Sequence, residues 1–382
     1  MIRLFLCICA LGLSLALPVL CAAASPRHSQ PVIVAYVFPG NTLLQPGQID
    51  AHRITRINFA FANIDNGRMV TGHASDEQNL ALLTSLRKEN PSLTVLVSVG
   101  GWLGSASFSD IALTAQSRKL FAASVTDFLE RYHLDGVDVD WEYPGMPGAG
   151  HPFRPEDKQN FTLLLKDLRQ QLNRETQASG RKLYLTIAAG ASSDYLAHTE
   201  MAKVQRYVDA VNLMAYDYVY AASDSITGHH APLFANPAAP NSQSADASVT
   251  AFERSGVPSA KIILGVPFYG HLWAQVPATN NGLFQPGKPA TTDFASYGAI
   301  TSTMLGHGFI RYWDPAASAP YLYSEQQKIF VSYEDPESLA AKCGYILSHK
   351  LGGIMFWEYL DDPSGTLLET IDNSLRGTQK KP

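Results

Sequence analysis

Eight short apolar, β-branched runs recur along the chain, amphipathic stretches separate them, and one interval breaks the rhythm. Together these predict an α/β fold: a (β/α)8 TIM barrel with a small α+β insertion between strands 7 and 8. The runs are residues 32–37, 54–62, 94–99, 136–140, 183–188, 210–214, 261–266 and 353–356. Several are almost continuously apolar, as parallel strands buried on both faces are. The clearest helical stretches between them are 78–88, 116–132 and 155–173. Residues 271–331 instead fall into short polar and aromatic pieces that contain Trp273, Trp313 and Tyr323. A loop of that length without secondary structure is unusual, so the interval is expected to be a small domain.

The termini complete the division. Arg3 precedes an apolar run over 4–20, followed by Ala22, Ala23, Ala24 and Ser25. A basic start, one apolar segment and small residues at its end describe a secretory signal peptide over 1–24. An uncleaved membrane anchor is the alternative, and a lipid-modified Cys21 is disfavoured by the bulky Leu20 before it. The expected domains are then the barrel over 25–270 and 332–382 and the insertion over 271–331. The product is expected to be secreted, extracellular or periplasmic, without stable membrane association after cleavage.

Composition narrows the function. Of 382 residues 46% are hydrophobic and 16% charged, which is the profile of a folded domain with a full core. The net charge is −5 and no basic run occurs, which argues against nucleic acid as a partner. Three of the four Cys lie in the leader, leaving Cys343 alone, so the mature chain has neither an internal disulfide nor a cysteine metal site. Cys343 reads as inert packing. The 17 Tyr and 5 Trp suit stacking on sugar faces, and equally suit a large core.

In such barrels chemistry sits at the C-terminal ends of the strands. The strongest signal there is Asp135-Gly136-Val137-Asp138-Val139-Asp140-Trp141-Glu142-Tyr143. Side chains alternate on a strand, so Asp138, Asp140 and Glu142 share one face while Val137, Val139 and Trp141 share the other. The apolar set faces the helices, which leaves three carboxylates pointing into the barrel. Neighbouring carboxylates cannot all ionise cheaply, so at least one pKa rises and a proton is retained. A protonated carboxyl at the strand end is a general acid, and Glu142 has the terminal position and the longest reach. Asp140, one pleat behind, can bond to it or to substrate, and Asp138 can exchange a proton with Asp140. A Ca²⁺ loop of the EF-hand type is excluded, because the segment lacks its glycine and closing Glu.

These residues resemble the DxxDxDxE signature of family 18 glycoside hydrolases, the chitinases. Four further segments occur in the family's order: Ser98-Val99-Gly100-Gly101-Trp102, Met214-Ala215-Tyr216-Asp217, Gly265-Val266-Pro267-Phe268-Tyr269-Gly270, and Gly352-Gly353-Ile354-Met355-Phe356-Trp357-Glu358. The resemblance covers residues 31–375. It implies a retaining, substrate-assisted cleavage of β-1,4-linked N-acetylglucosamine polymers, without a cofactor or metal. Glu142 would protonate the leaving oxygen and later activate water. Asp140 would orient the substrate's acetamido group, Asp138 would modulate Asp140, and Tyr216 would bind the acetamido oxygen. Asp217, Met214, Gly101, Trp102, Tyr143, Tyr269, Phe61, Tyr36 and the floor residue Trp357 would bind the sugars, each stacked ring contributing about 1 kcal/mol. The insertion resembles the small α+β domain of one chitinase subfamily, where it deepens the cleft. The expected partner is chitin or its oligosaccharides, and the expected state is a monomer.

Two rivals share the motif. An endo-β-N-acetylglucosaminidase acting on glycans or peptidoglycan would use the same residues. A chitin-binding lectin on the same barrel would lack the acid that Glu142 supplies. One position departs from the family pattern: His271 stands where many relatives carry Arg. The other histidines, His229-His230 included, show no metal-ligand spacing along the chain and are expected at the surface.

Overall fold

A computed structural model describes residues 30–240 and 243–377. The expected signal peptide therefore lies outside the described residues. Fourteen strands are described: β1 (Val32–Val37), β2 (Arg56–Asp65), β3 (Arg68–Thr71), β4 (Thr94–Gly100), β5 (Gly136–Asp140), β6 (Tyr184–Gly190), β7 (Ala210–Met214), β8 (Ile262–Pro267), β9 (Tyr269–Ala274), β10 (Lys288–Ser296), β11 (Ile310–Asp314), β12 (Ala319–Ser324), β13 (Ile329–Ser332) and β14 (Gly353–Trp357). Eight of them form a closed parallel barrel in the order β1-β14-β8-β7-β6-β5-β4-β2, sealed by pairing of β1 with β2. This is the (β/α)8 barrel the apolar runs predict.

Alternation divides the barrel strands between two cores. On β1, Ile33, Ala35 and Val37 join the layer between strands and helices. Val34 and Tyr36 point inward with Ala60, Ile263 and Met355. The outer layer is closed by capped amphipathic helices. Ala115–Arg131 starts at a capping box in which Thr114 and Ser117 bond each other's backbone N–H. Pro336–His349 starts with Asp335 as cap and Pro336 in the first turn, where its missing N–H costs nothing. Cys343 sits on that helix, fully buried, its thiol pushed up to about 12 by burial. Asn160-Phe161-Thr162 has the form of an N-glycosylation sequon, but Asn160 is buried on helix Asp157–Ser179 and is not presented to solvent.

The sequence reading needs correction at β2, which begins two residues later than expected and runs on to Asp65. It turns back at Asn66-Gly67, both with positive φ, and β3 pairs antiparallel with it. Asn-Gly is the preferred pair for such a two-residue hairpin turn.

Residues 269–332 carry the second sheet, antiparallel, in the order β10-β9-β13-β12-β11. Trp273, Tyr323, Tyr321 and Phe330 fill its own core. Trp273 donates its indole N–H to the Asp224 carbonyl (2.9 Å). Its aromatic residues are thus spent mainly on packing the insertion, while Tyr269 and His271 on β9 reach the cleft.

Gly100, at the end of β4, has φ +108°, and a Cβ there would lie 2.2 Å from the Asp140 carbonyl oxygen. Backbone on backbone cannot yield. Gly100→Ala is expected to cost ~3 kcal/mol or more, read as a lower urea midpoint; an unchanged midpoint would refute this.

Candidate active site

The C-terminal ends of the barrel strands open into a cleft of about 880 Å³. Its lining includes Tyr36, Phe61, Trp102, Asp140, Glu142, Tyr143, Met214, Tyr216, Asp217, Tyr269 and Trp357. Of the site residues expected from sequence, Asp138 and Gly101 lie behind this lining: Asp138 in the barrel interior, Gly101 beneath the Phe61 ring.

Parallel register sets Ser98, Asp138 and Thr186 level with one another on β4, β5 and β6. Asp138 Oδ2 accepts hydrogen bonds from Tyr36 Oη (2.8 Å) and Ser98 Oγ (2.8 Å). Its Oδ1 accepts from Thr186 Oγ1 (2.5 Å) and Asn212 Nδ2 (3.0 Å). Burial raises the Asp138 pKa, and the four donors oppose that rise by favouring the anion. No direct bond joins it to Asp140, so the proton exchange expected between them has no hydrogen-bonded path; their coupling is through charge.

Asp140 is 4% exposed, and its Oδ1 has no protein partner. Its pKa stands well above the ordinary value, first through burial, then through the charges of Glu142 and Asp138. Glu142 follows. Its backbone N–H donates to Ser105 Oγ (2.9 Å), which in turn donates to the Gly101 (2.8 Å) and Asp140 (3.2 Å) carbonyls. This clamp holds the strand end against the β4 loop. Burial pushes the Glu142 carboxyl up to about 7; a hydrogen bond from Tyr143 lowers it, and the charge of Asp217 raises it. One side of the cleft therefore holds a carboxyl that is half protonated near neutrality, the condition for general acid–base work.

The aromatic floor is built from three strands. Trp357 stacks near Phe61 (centroids 5.4 Å, 23°) and Phe38 (5.8 Å, 29°), with Tyr36 at 5.9 Å. A register shift on β2 between Ala60 and Ala62 accompanies Phe61. The peptide bonds Ala60–Phe61, Glu142–Tyr143 and Trp357–Glu358 are cis. Trp102 is 48% exposed at the rim, 6.4 Å from Tyr143. Phe38 escapes sequence reasoning because it lies just beyond β1, outside any motif.

Opposite the acids, Asp217 sits at φ +58° after β7. Its carboxylate accepts from Tyr269 Oη (2.8 Å), His271 Nε2 (2.9 Å) and His230 Nδ1 (3.3 Å). Desolvation by the surrounding protein would by itself raise its pKa, although 42% of the side chain still reaches solvent; the hydrogen bonds from His230 and His271 win and hold it well below the carboxylate range. His230 is pushed down to about 4 by burial and is neutral at neutral pH. The expectation that His229 and His230 lie at the surface is overturned. Both are buried, His229 against Asp314 (3.0 Å) and His230 against Asp217, because consecutive side chains there face opposite sides of a covered segment. The fold also gathers Asp217, His230 and His271 into a cluster with metal-ligand spacing, which the spacing along the chain does not show.

Comparison with known proteins places this geometry. The family model described as glycosyl hydrolases family 18 matches residues 32–362. Chitinase A1 of Niallia circulans is 42% identical over 331 residues, covering 82% of this chain and 47% of that protein; the chain spans about half the length of that relative. Chitotriosidase-1 of Mus musculus is 36% identical, covering 84% of this chain and 70% of its own. The solved structure of a family 18 N-acetylglucosaminidase from Paenibacillus barengoltzii superposes with a TM-score of 0.83 at 40% identity, covering 90% of this chain and 99% of its own.

Proposed function

This chain belongs to glycosyl hydrolase family 18, and from that premise we propose that it is a chitinase, cleaving β-1,4 linkages between N-acetylglucosamine units with Glu142 as acid and base. The observation that carries the reading is the Glu142 carboxyl, buried in an aromatic-floored cleft and pushed up to about 7. In this reading a sugar ring lies on Trp357, and Glu142 protonates the departing glycosidic oxygen. The substrate's own acetamido oxygen attacks the anomeric carbon, the substrate-assisted route of family 18 enzymes. Asp140, whose Oδ1 has no partner within the protein, hydrogen-bonds the acetamido N–H. Tyr216, aimed into the same cleft, bonds the acetamido oxygen. Glu142 then takes a proton from water, and the configuration is retained. We further propose that the leader over 1–24 directs the enzyme out of the cytoplasm; among the described residues no helix is long and apolar enough to cross a membrane.

A second reading has specific support: the Paenibacillus barengoltzii structure is that of an N-acetylglucosaminidase. Products separate the two. On chitin oligosaccharides the chitinase reading expects N,N′-diacetylchitobiose from long chains. Release of N-acetylglucosamine alone supports the second reading. Failure on chitin with cleavage of protein-linked glycans overturns both in favour of an endo-acting enzyme on glycans, and binding without cleavage leaves a lectin.

A further inference from the structure

Asp217, His230 and His271 bring one carboxylate oxygen and two imidazole nitrogens within 4.8 Å of one another. They come from the turn after β7, the loop that follows it, and β9. We propose that these three side chains form a binding site for a divalent transition ion of the Zn²⁺ class, and that the bound ion blocks the sugar cleft. The second half rests on the glycosidase reading above; the first does not.

The distances carry the argument. Zn²⁺ bonds of about 2.0–2.1 Å in a tetrahedron put neighbouring ligand atoms about 3.3 Å apart. Asp217 Oδ1 is 3.3 Å from His230 Nδ1 and 2.9 Å from His271 Nε2. Two of the three spacings thus match such a tetrahedron to within a few tenths of an ångström, and the third, between the two imidazole nitrogens, is no more than 4.8 Å. Two imidazoles and a carboxylate suit Zn²⁺, Co²⁺, Ni²⁺ or Cu²⁺, whereas Mg²⁺ and Ca²⁺ favour oxygen alone.

The surroundings fit at His271 and at the carboxylate, whereas His230 Nε2 is buried without a partner. A ligating histidine usually donates its other ring N–H to a carbonyl or carboxylate. His271 Nδ1 already faces the Asp293 carbonyl at 3.4 Å. Tyr269 Oη donates to Asp217 (2.8 Å) and fixes the carboxylate's orientation. Asp217 and His271 both line the cleft, and the Asp217 side chain is 42% exposed, so an ion can enter from solvent. Three protein ligands leave a fourth position, open to the cleft, for water or a sugar hydroxyl. An ion there would neutralise Asp217 and stand beside Tyr216 and Tyr269, where a sugar must lie.

The test uses the metal-stripped full chain titrated with Co²⁺, followed by its visible absorption, and then with Zn²⁺ as competitor. One equivalent of Co²⁺ with the intense band of a four-coordinate site is expected. Affinity should fall about tenfold or more in both Asp217→Asn and His271→Arg, and stay unchanged in His307→Gln, an exposed ring outside the cleft. Circular dichroism checks that the variants fold; His230, being buried, is left intact. Equal affinity in wild type and both cleft variants overturns the site. Zn²⁺ inhibition competitive with oligosaccharide supports the blocking role, and binding without inhibition overturns it. The Co²⁺ spectrum is read without substrate, so it stands or falls independently of whether the chain cleaves chitin.

Discussion

Glu142→Gln is expected to keep oligosaccharide binding and to lose roughly 10³-fold in kcat. Gln has nearly the shape of Glu and cannot deliver a proton. The buried carboxyl, pushed up to about 7, also sets the pH response of the wild type. As the acid it must be protonated, so kcat/KM should fall as pH rises through about 7. Stability follows the same titration. The ordinary Glu value is 4.5, and the folded value is higher, so protonation favours the fold. That contribution is complete below pH 4.5 and is lost as pH rises through about 7. The neutral Gln never carries the buried charge. Its melting temperature should match wild type near pH 4.5, exceed it increasingly up to about pH 7, and keep a constant lead above that. A variant that cleaves like wild type would remove Glu142 from the acid role, and parallel melting curves at every pH would remove its raised pKa.

Asp138→Ala should have the largest effect on stability, about 3–5 kcal/mol. It strands four buried donors, on Tyr36, Ser98, Thr186 and Asn212, in a region closed to water. Asp138→Asn should cost far less. The hydroxyls of Tyr36 and Ser98 can rotate to accept from its new NH2 group, while its oxygen keeps Thr186 and Asn212. Removing the charge also relieves Asp140, whose pKa Asp138 helps to raise. Urea unfolding separates the two variants. Similar losses in both would show that charge, not hydrogen bonding, dominates at this position. An Asp138→Asn enzyme that folds should have its acidic activity limb displaced downward, since Asp140 then ionises at lower pH.

The barrel was legible because its signals are local. Apolar runs at strand length and amphipathic stretches between them depend only on near neighbours in sequence. The Asn66-Gly67 turn signal is equally local, but the apolar run that marks the strand stops at residue 62, short of the turn. The insertion was legible only as an interruption. Its sheet order and the burial of Trp273, Tyr321, Tyr323 and Phe330 in its own core depend on pairings between distant segments.

By itself, the sequence determined the alternation over residues 136–142 that turns Asp138, Asp140 and Glu142 to one side, because a strand's two-residue period follows from backbone geometry. It also determined, through its motifs, which strand ends carry the aromatic and acidic residues. Only the tertiary structure decided what each group meets there. The four donors on Asp138 come from β1, β4, β6 and β7, and barrel closure alone brings them together. The convergence of His230 and His271 on Asp217 was likewise invisible, since the two histidines lie 41 positions apart along the chain and β9 carries one of them back over the cleft. Protonation states follow burial and neighbouring charge, which are properties of the folded molecule, so the values that poise Glu142 as an acid and hold Asp217 as an anion arise only once the chain has closed around them.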